Sequence, residues 1–407
     1  MNGLIGWIDE RFPLTKMWEE HLSKYYAPKN FNFWYYFGSL ALLVLVIQIV
    51  TGIFLTMQYK PSGEQAFISV EYIMRDVEWG WLIRYMHSTG ASAFFVVVYL
   101  HMFRGLMYGS YKKPRELIWI FGMLIYLCLM AEAFMGYLLP WGQMSYWGAQ
   151  VIISLFGWVP FVGDDITLWL RGDYIVADAT LNRFFALHVI AMPLVLLGLV
   201  VAHIIALHEV GSNNPDGVEI KKNKDENGIP RDGIPFHPYY SVKDLVGVGV
   251  FLFVFFSIVF FAPEMGGFFL EYANFVPANP LKTPEHIAPV WYFTPYYAML
   301  RATPPLFDSA LPGVIVMFAA IIVLFFLPWI DRGVVKSIRY RSQVYKTLLG
   351  LFVVSFVVLG YFGIKPPSTI GTLVSQICTV YYFVYFIALY VISKNENTKP
   401  VPERVTH

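Results

Sequence analysis

Four histidines form two pairs whose spacing suits metal chemistry. His87 and His101 are 14 residues apart, and His188 and His203 are 15 apart. On a regular helix 14 residues make close to four turns and rise ~21 Å, so the first two side chains share one face. The second interval overshoots four turns by about 60°, which a bulge or kink near Pro193 would correct. If both helices run the same way through one bundle, His87 meets His188 and His101 meets His203.

Two facing imidazole pairs at two depths are what two bis-histidine haems require. The alternative is that these histidines are buried and hydrogen-bonded, or that they relay protons across a membrane. Four histidines paired by depth favour the haem interpretation. No Cys-x-x-Cys-His motif occurs, so the haems are expected to be of the non-covalent b type.

Glycines and arginines accompany the histidines at matching intervals. A haem can approach a helix closely where the Cβ is missing, although close helix packing is the plain alternative. Each arginine lies three residues from a histidine and is a candidate partner for a haem propionate, or else an anchor at the membrane interface. The glycines are Gly38 with Gly52 and Gly122 with Gly136, each pair 14 apart, and the arginines are Arg84 and Arg104.

The elements that must position these residues are membrane spans. Of 407 residues 57% are hydrophobic and only 14% are charged, against ~25% charged in average soluble domains. Eight runs without Asp, Glu, Lys or Arg predict an all-α integral membrane protein with eight transmembrane helices, because ~20 apolar residues cross a bilayer. We number them α1 to α8; they lie within 29–60, 84–104, 116–137, 183–209, 244–264, 308–331, 346–365 and 365–394. The third run ends at Glu132 and is short by itself, so we expect its helix to continue past that residue to about 137.

Charge also predicts orientation and organisation. Most of the 29 Lys and Arg residues lie on the side that holds both termini, which the positive-inside rule places in the cytoplasm. We expect an N-terminal four-helix bundle that holds two stacked haems. The expected units are a cytoplasmic segment 1–32, the bundle α1–α4 at 33–210, a cytoplasmic loop 211–243, a four-helix region α5–α8 at 244–393 with a long outer loop 263–308, and a tail 394–407. In the other long loop, 139–178, the apolar stretch 151–162 predicts a helix at the interface.

Some partners and sites are excluded by composition. A net charge of +1 offers no basic excess for phosphates, so nucleic acid is not expected as a partner. Cys128 and Cys378 both lie in apolar runs and have no metal-site or disulfide spacing. An electron-transfer reaction that needs an iron–sulfur cluster would therefore need another subunit.

Five ordered segments resemble cytochrome b of the quinol–cytochrome c oxidoreductase family, and the likeness runs through nearly the whole chain. The segments are 136–148 (GYLLPWGQMSYWG), 181–188 (LNRFFALH), 208–215 (HEVGSNNP), 236–244 (FHPYYSVKD) and 289–292 (PVWY). This resemblance implies an outer haem held by His87 and His188 and an inner haem held by His101 and His203. It also implies two quinone sites on opposite faces.

The resemblance implies a reaction that is shared with other subunits. Ubiquinol would be oxidised at the outer site, and one electron would pass to a Rieske iron–sulfur protein and on to a membrane-anchored c-type cytochrome. The other electron would cross the membrane through both haems and reduce quinone at the inner site, coupled to proton translocation. A homodimer of the complex, embedded in membrane lipid, is expected.

Both quinone sites can be placed on residues by the same resemblance. The inner site falls on His208, Lys243 and Asp244, with Ser212 weaker; from position alone these polar groups could instead meet lipid headgroups. The outer site falls on aromatic and small residues at the end of α3 and in the outer loop, for which an aromatic belt is the plain alternative. They are Tyr137, Gly148, Pro289, Trp291, Tyr292 and Tyr297.

The chain departs from the family at Val290. Many members have a glutamate there that is thought to take a proton from quinol, and valine cannot do so. Three carboxylates could replace it: Glu271, which we favour because its loop should be wetter and freer to swing, then Glu285 and Glu132. Val290 and the absence of a targeting segment suggest a bacterial plasma membrane.

Two other functions compete with this one. A transporter or proton channel could use the histidines as a relay, but it would carry mirrored halves, and here the predicted spans place every intramembrane histidine in α1–α4. A di-haem cytochrome b of another membrane oxidoreductase is the second rival. It has no reason to carry the segment 289–292 or the long outer loop.

Overall fold

The computed structural model describes residues 3–307 and 309–406, and the chain is predominantly helical there. Met1, Asn2 and His407 lie outside the described residues, as does Asp308, on which the predicted boundary of the outer loop falls. Helices dominate because a backbone that crosses lipid must satisfy its hydrogen bonds internally.

Seven helices in the described part of the chain are long and apolar enough to cross a bilayer. They are α1 Phe33–Thr56, α2 Gly80–Tyr108, α3 Glu116–Leu138, α4 Asp178–Val210, α5 Phe236–Phe261, α7 Gln343–Ile364 and α8 Thr369–Ile392. The remaining predicted span, α6, is the shorter helix Leu311–Phe325, followed after Phe326 by Leu327–Ile330. Pro328 explains the interruption, because its ring removes a backbone donor and restricts the residue before it.

The spans present apolar faces outward. Phe253 of α5 is 76% exposed and Ile205 of α4 is 64% exposed. Large apolar side chains stay uncovered along a helix where lipid or another subunit, rather than water, surrounds them. The predominantly helical, multi-pass membrane architecture predicted from the charge-free runs is confirmed.

The first four spans pack as two helix pairs. Helix α1 packs along α2, and α3 packs along α4. The two histidine-bearing helices, α2 and α4, therefore each have a glycine-bearing neighbour. Strand β1, Tyr26–Pro28, pairs antiparallel with β2, Gly233–Pro235, and this ties the N-terminal segment to the loop before α5.

A buried ion cluster joins the two halves of the chain. Asp331, just after α6, accepts from Arg341 Nη1 at 2.5 Å and lies 2.8 Å from Lys112 Nζ, in the loop between α2 and α3. The Tyr111 hydroxyl donates to the same carboxylate at 2.5 Å. Burial alone would raise the pKa of Asp331, but Lys112 and Arg341 outweigh it and hold the pKa below its usual value.

One local expectation was wrong in its bounds. In place of a helix over 151–162 the structure has two helices, Gln143–Phe156 and Gly163–Arg171. The chain turns between them, where Pro160 lacks a backbone donor and Phe161 has a left-handed backbone with φ of 70°. Turn residues therefore overrode the apolar pattern.

Candidate functional site

The structure brings the four histidines together in the two predicted pairs. The ring centroids of His87 and His188 are 6.2 Å apart, and those of His101 and His203 are 6.3 Å apart. Metal–nitrogen bonds are ~2 Å long, so each gap has the width of one metal ion between two imidazoles. The residues therefore fit two bis-histidine haems.

A π-helical turn corrects the longer interval on α4. Residues Leu187–Ala191, which include His188, form a π-helix before the regular helix resumes at Met192. A π-turn takes up one extra residue without breaking the helix. The 15-residue spacing thereby gives the same pairing as the 14-residue spacing on α2, through the bulge that the sequence placed near Pro193.

Each of the four glycines lies against one histidine ring. A Cβ on Gly38 would lie 3.3 Å from His101 Cε1, and a Cβ on Gly122 would lie 3.4 Å from His203 Cε1. At the other pair, a Cβ would lie 3.3 Å from His87 Cε1 on Gly52, and only 2.4 Å from His188 Cε1 on Gly136. The sequence suggested room for the macrocycle; in the structure the missing Cβ atoms make room for the imidazoles.

The hydrogen bonds of His87 and His188 use Nδ1 and leave Nε2 of both rings free to bind a metal. The Thr51 hydroxyl donates to Ile47 O at 2.6 Å and lies 2.8 Å from His87 Nδ1, so that nitrogen must donate to it. His188 Nδ1 lies 3.0 Å from the backbone oxygen of Glu132, which can only accept. A hydrogen on Nδ1 leaves the Nε2 lone pair available to a metal. Thr51 was not expected from the sequence, where a single hydroxyl in an apolar run carries no signal.

The two arginines lie at separate cavities. Arg84 lines a cavity of about 270 Å³ that also contains His87 and His188, here called the His87 cavity. Arg104 lines one of about 510 Å³ around His101 and His203, the His101 cavity. Neither arginine has a carboxylate partner within the described residues, and Arg104 Nε is buried without any acceptor there. Both arginines are half-buried, and guanidinium groups without a carboxylate partner suit the propionates of a haem.

The His87 cavity also receives two aromatic residues of the predicted outer site. Tyr137 and Tyr292 line it together with Val290, and Tyr292 stacks on Phe95 at 3.8 Å. Around it, Gly148 lies against Tyr137, so that a Cβ there would be 3.7 Å from Tyr137 Cε1.

Pro289, Trp291 and Tyr297 do not line the His87 cavity, and contacts beside the cavity hold this segment in place. Trp291 Nε1 donates to Ser92 Oγ at 3.1 Å, and the Trp291 ring stacks on Phe268. The Tyr297 hydroxyl donates to Ile287 O at 3.2 Å and closes the loop. These contacts fix the backbone that carries Val290 and Tyr292.

The three candidate carboxylates lie in different surroundings. Tyr137 donates its hydroxyl to Glu271 Oε2 at 2.8 Å, which connects Glu271 to a residue of the His87 cavity. Burial raises the pKa of Glu271 to about 7, against the opposing effect of the hydrogen bond from Tyr137. Glu132 lies at His188, with 3.1 Å between Oε1 and Nδ1. Glu285 is exposed and is not among the residues that line the cavity.

The His101 cavity contains every predicted residue of the inner site: His208, Ser212, Lys243 and Asp244. Two residues that the sequence did not single out join them. His21 Nδ1 lies 3.4 Å from His208 Nδ1, and the Tyr25 ring stacks on His208 at 4.4 Å. The β1–β2 pairing brings this N-terminal segment across the chain, and no spacing in the sequence indicates it.

A membrane bundle with two facing histidine pairs and a cavity at each pair defines a class of proteins, the membrane-spanning haem carriers. The first part of the chain, residues 22–211, matches the model of the family described as Cytochrome b/b6/petB, and residues 277–383 match Cytochrome b(C-terminal)/b6/petD. The chain belongs to the cytochrome b family.

The chain aligns with bacterial cytochromes b along nearly its whole length. The chain is 65% identical to a cytochrome b of Allochromatium vinosum, covering 99% of this chain and 98% of the relative, and 50% identical to one of Rickettsia prowazekii, covering 99% and 97%. It is also similar to a solved structure titled "Hyperthermophilic respiratory Complex III", with a TM-score of 0.88, 41% identity, and coverage of 96% and 98%.

The resemblance read from the sequence segments is therefore confirmed, as are the electron-transport and oxidoreductase classes. Members of this family are redox subunits of complex III, the quinol–cytochrome c oxidoreductase. A histidine-relay transporter and a di-haem cytochrome of another oxidoreductase have no support from these comparisons.

Proposed function

We propose that the chain oxidises ubiquinol at the His87 end of its bundle and reduces quinone at the His101 end, with electron flow coupled to proton translocation. The observation that carries this proposal is the pair of facing histidine couples along α2 and α4, each in its own cavity. Two b-type haems, when bound there, supply one-electron redox centres at two depths of the membrane.

The chain's own residues hold these haems within the bundle of residues 33–210. The histidines offer Nε2 to iron, and the four glycines let the rings stand close to α1 and α3. Arg84 and Arg104 neutralise propionates at the two cavities. The division into this bundle, the loop 211–243 and the region 244–393 remains part of the proposal.

At the His87 end, Glu271 takes the place of the missing glutamate. Val290 has no proton-accepting group, whereas Glu271 reaches Tyr137 of the same cavity and has a pKa near 7. A general base works best when its pKa lies near the working pH. Glu271 therefore accepts a proton from quinol, with Tyr137 orienting its carboxylate.

At the His101 end, His208 and Asp244 are placed to hydrogen-bond a quinone and supply protons, with Lys243 and Ser212 beside them. His21 lies at the open side of His208 and is exposed. It offers these groups a connection to the aqueous phase.

The proposal includes a location and partners. The bundle lies in a bacterial inner membrane with both termini in the cytoplasm, as the distribution of Lys and Arg predicts. The described residues offer no haem-attachment motif or iron–sulfur ligand set, so a Rieske protein and a membrane-anchored c-type cytochrome take the first electron. A homodimer of the complex and surrounding lipid complete the assembly.

A dithionite-minus-ferricyanide difference spectrum with pyridine haemochrome quantitation tests the haem proposal. We expect two b-type haems per chain in the purified complex and one in a His203→Ala variant. His286→Gln is a matched control, because His286 bonds the backbone oxygen of Ile364 and belongs to neither pair. A folded wild-type protein without haem would refute the redox assignment.

A further inference from the structure

Glu132 lines the His87 cavity and contacts His188, one of the proposed haem ligands. Its Oε1 lies 3.1 Å from His188 Nδ1, and its backbone oxygen lies 3.0 Å from the same nitrogen. The single N–H is thus shared between a carbonyl and a carboxylate of one residue. We propose that Glu132 is a positioning residue that orients His188 and lowers the reduction potential of the haem at the His87–His188 pair. This inference rests on the proposed haem sites.

The contact distinguishes His188 from the other three histidines. His87 Nδ1 bonds the neutral hydroxyl of Thr51, and the Nδ1 atoms of His101 and His203 have no hydrogen-bond partner within the described residues. Among the described residues, His188 is therefore the one histidine of the two pairs that contacts a carboxylate. Because this contact involves one ligand of one haem, it should affect the reduction potential of that haem and not that of the other.

The direction of the effect follows from ligand chemistry. A carboxylate that accepts the Nδ1 hydrogen makes the imidazole a stronger electron donor and fixes its tautomer and orientation. A stronger donor favours the oxidised iron, which carries more positive charge, and so lowers the potential. A lower potential at the quinol-side haem increases the driving force for electron transfer to the haem of the His101–His203 pair.

A role as mere packing does not account for this carboxylate. An ionisable group within a span is costly, and its placement needs a partner. Glu132 Oε2 is buried and has no hydrogen-bond partner within the described residues, so a neutral side chain would pack there at lower cost. Glu271, in contrast, is held by Tyr137 from a different element and serves the quinol cavity.

Redox titration of the two haems in the assembled complex tests the inference. Glu132→Gln keeps the shape and a weaker acceptor, and Glu116→Gln, at the other end of the same helix, is the matched control. Loss of an outer-shell partner typically costs ~10–100-fold in metal affinity or activity. We expect Glu132→Gln to raise the midpoint of one haem by about tenfold in its reduction equilibrium, ~59 mV for a one-electron couple. That haem's electron paramagnetic resonance signal should also shift, while the second haem and the Glu116 control stay unchanged.

The outcomes separate this inference from the haem proposal. A wild-type complex without two b-type haems refutes the haem proposal itself. Two haems with unchanged midpoints and spectra in Glu132→Gln refute the role of Glu132 alone. Should Glu132→Gln not assemble, Glu132→Met fills similar volume without an acceptor and must shift the same haem upward; an unshifted midpoint there also overturns the inference.

Discussion

Replacing Glu271 by Gln should remove one limb of the pH profile of quinol oxidation. Burial raises the pKa of Glu271 to about 7, so its carboxylate is ionised in about one tenth of molecules at pH 6 and about nine tenths at pH 8. Only the ionised form accepts a proton. The wild-type rate should therefore rise roughly tenfold between these values and level off above them.

The variant loses both the base and its titration. General-base catalysis contributes ~10²–10⁴-fold, so steady-state quinol–cytochrome c reductase activity in membranes should fall by at least the lower figure and become flat between pH 6 and 8. Tyr137→Phe should move the limb to higher pH, because the hydrogen bond from Tyr137 lowers the pKa of Glu271 and its loss raises it.

Glu285→Gln is the matched control, since Glu285 is an exposed carboxylate of the same loop that does not line the His87 cavity. Its pH profile should match that of the wild type. If Glu271→Gln kept the limb near pH 7 and the wild-type rate, Glu271 would not be the proton acceptor. Loss of the limb in Glu285→Gln instead would transfer the role to that residue.

Three further changes test other parts of the structure. Gly136→Ala should remove the haem at His188, because the new Cβ would lie 2.4 Å from the His188 ring. Gly122→Ala should keep both haems, because its Cβ would lie 3.4 Å from the His203 ring. Haemochrome quantitation distinguishes one haem from two. Asp331→Asn removes the carboxylate that buried Lys112 and Arg341 share, which leaves Arg341 with Glu396 alone, and should destabilise the fold by about 3–5 kcal/mol, seen as a lower melting temperature near pH 7. Because the pKa of Asp331 is lowered in the fold, this stabilisation should also fade in wild type as pH falls below about 4. His208→Gln should slow quinone reduction at the His101 cavity by ~10²-fold or more, measured as haem re-oxidation by added quinone, and an unchanged rate would place the reaction elsewhere.

The sequence predicted the features that depend on regular periodicity. Charge-free runs define spans because lipid tolerates few charges, and the 14-residue spacing on α2 defines a face because a helix repeats every 3.6 residues. The irregular interval on α4 was resolved for the same reason, since one π-turn around His188 is a local correction to a regular element.

The remaining features depend on contacts between distant segments. His21 meets His208 across 187 residues, and Tyr137 meets Glu271 across 134. No periodicity links such positions, because loops and strand pairing bring them together. The orientation of Glu132 could not be predicted from the sequence either. The sequence places Glu132 on α3, but it does not indicate that the carboxylate contacts His188.

Under the proposed function, the quinol site needs a carboxylate close to the His87 cavity, and that carboxylate need not come from position 290. Val290 is 4% exposed and lines the His87 cavity, so a side chain there can reach the same volume as the Tyr137–Glu271 pair serves. We therefore expect Val290→Glu to restore part of the rate and the pH limb when it is added to Glu271→Gln. Val290→Gln in the same background provides volume and polarity without a base, and it should restore neither. Equal recovery in both double variants, measured by the same reductase assay, would mean that polarity or water, and not a carboxylate, is what the site requires.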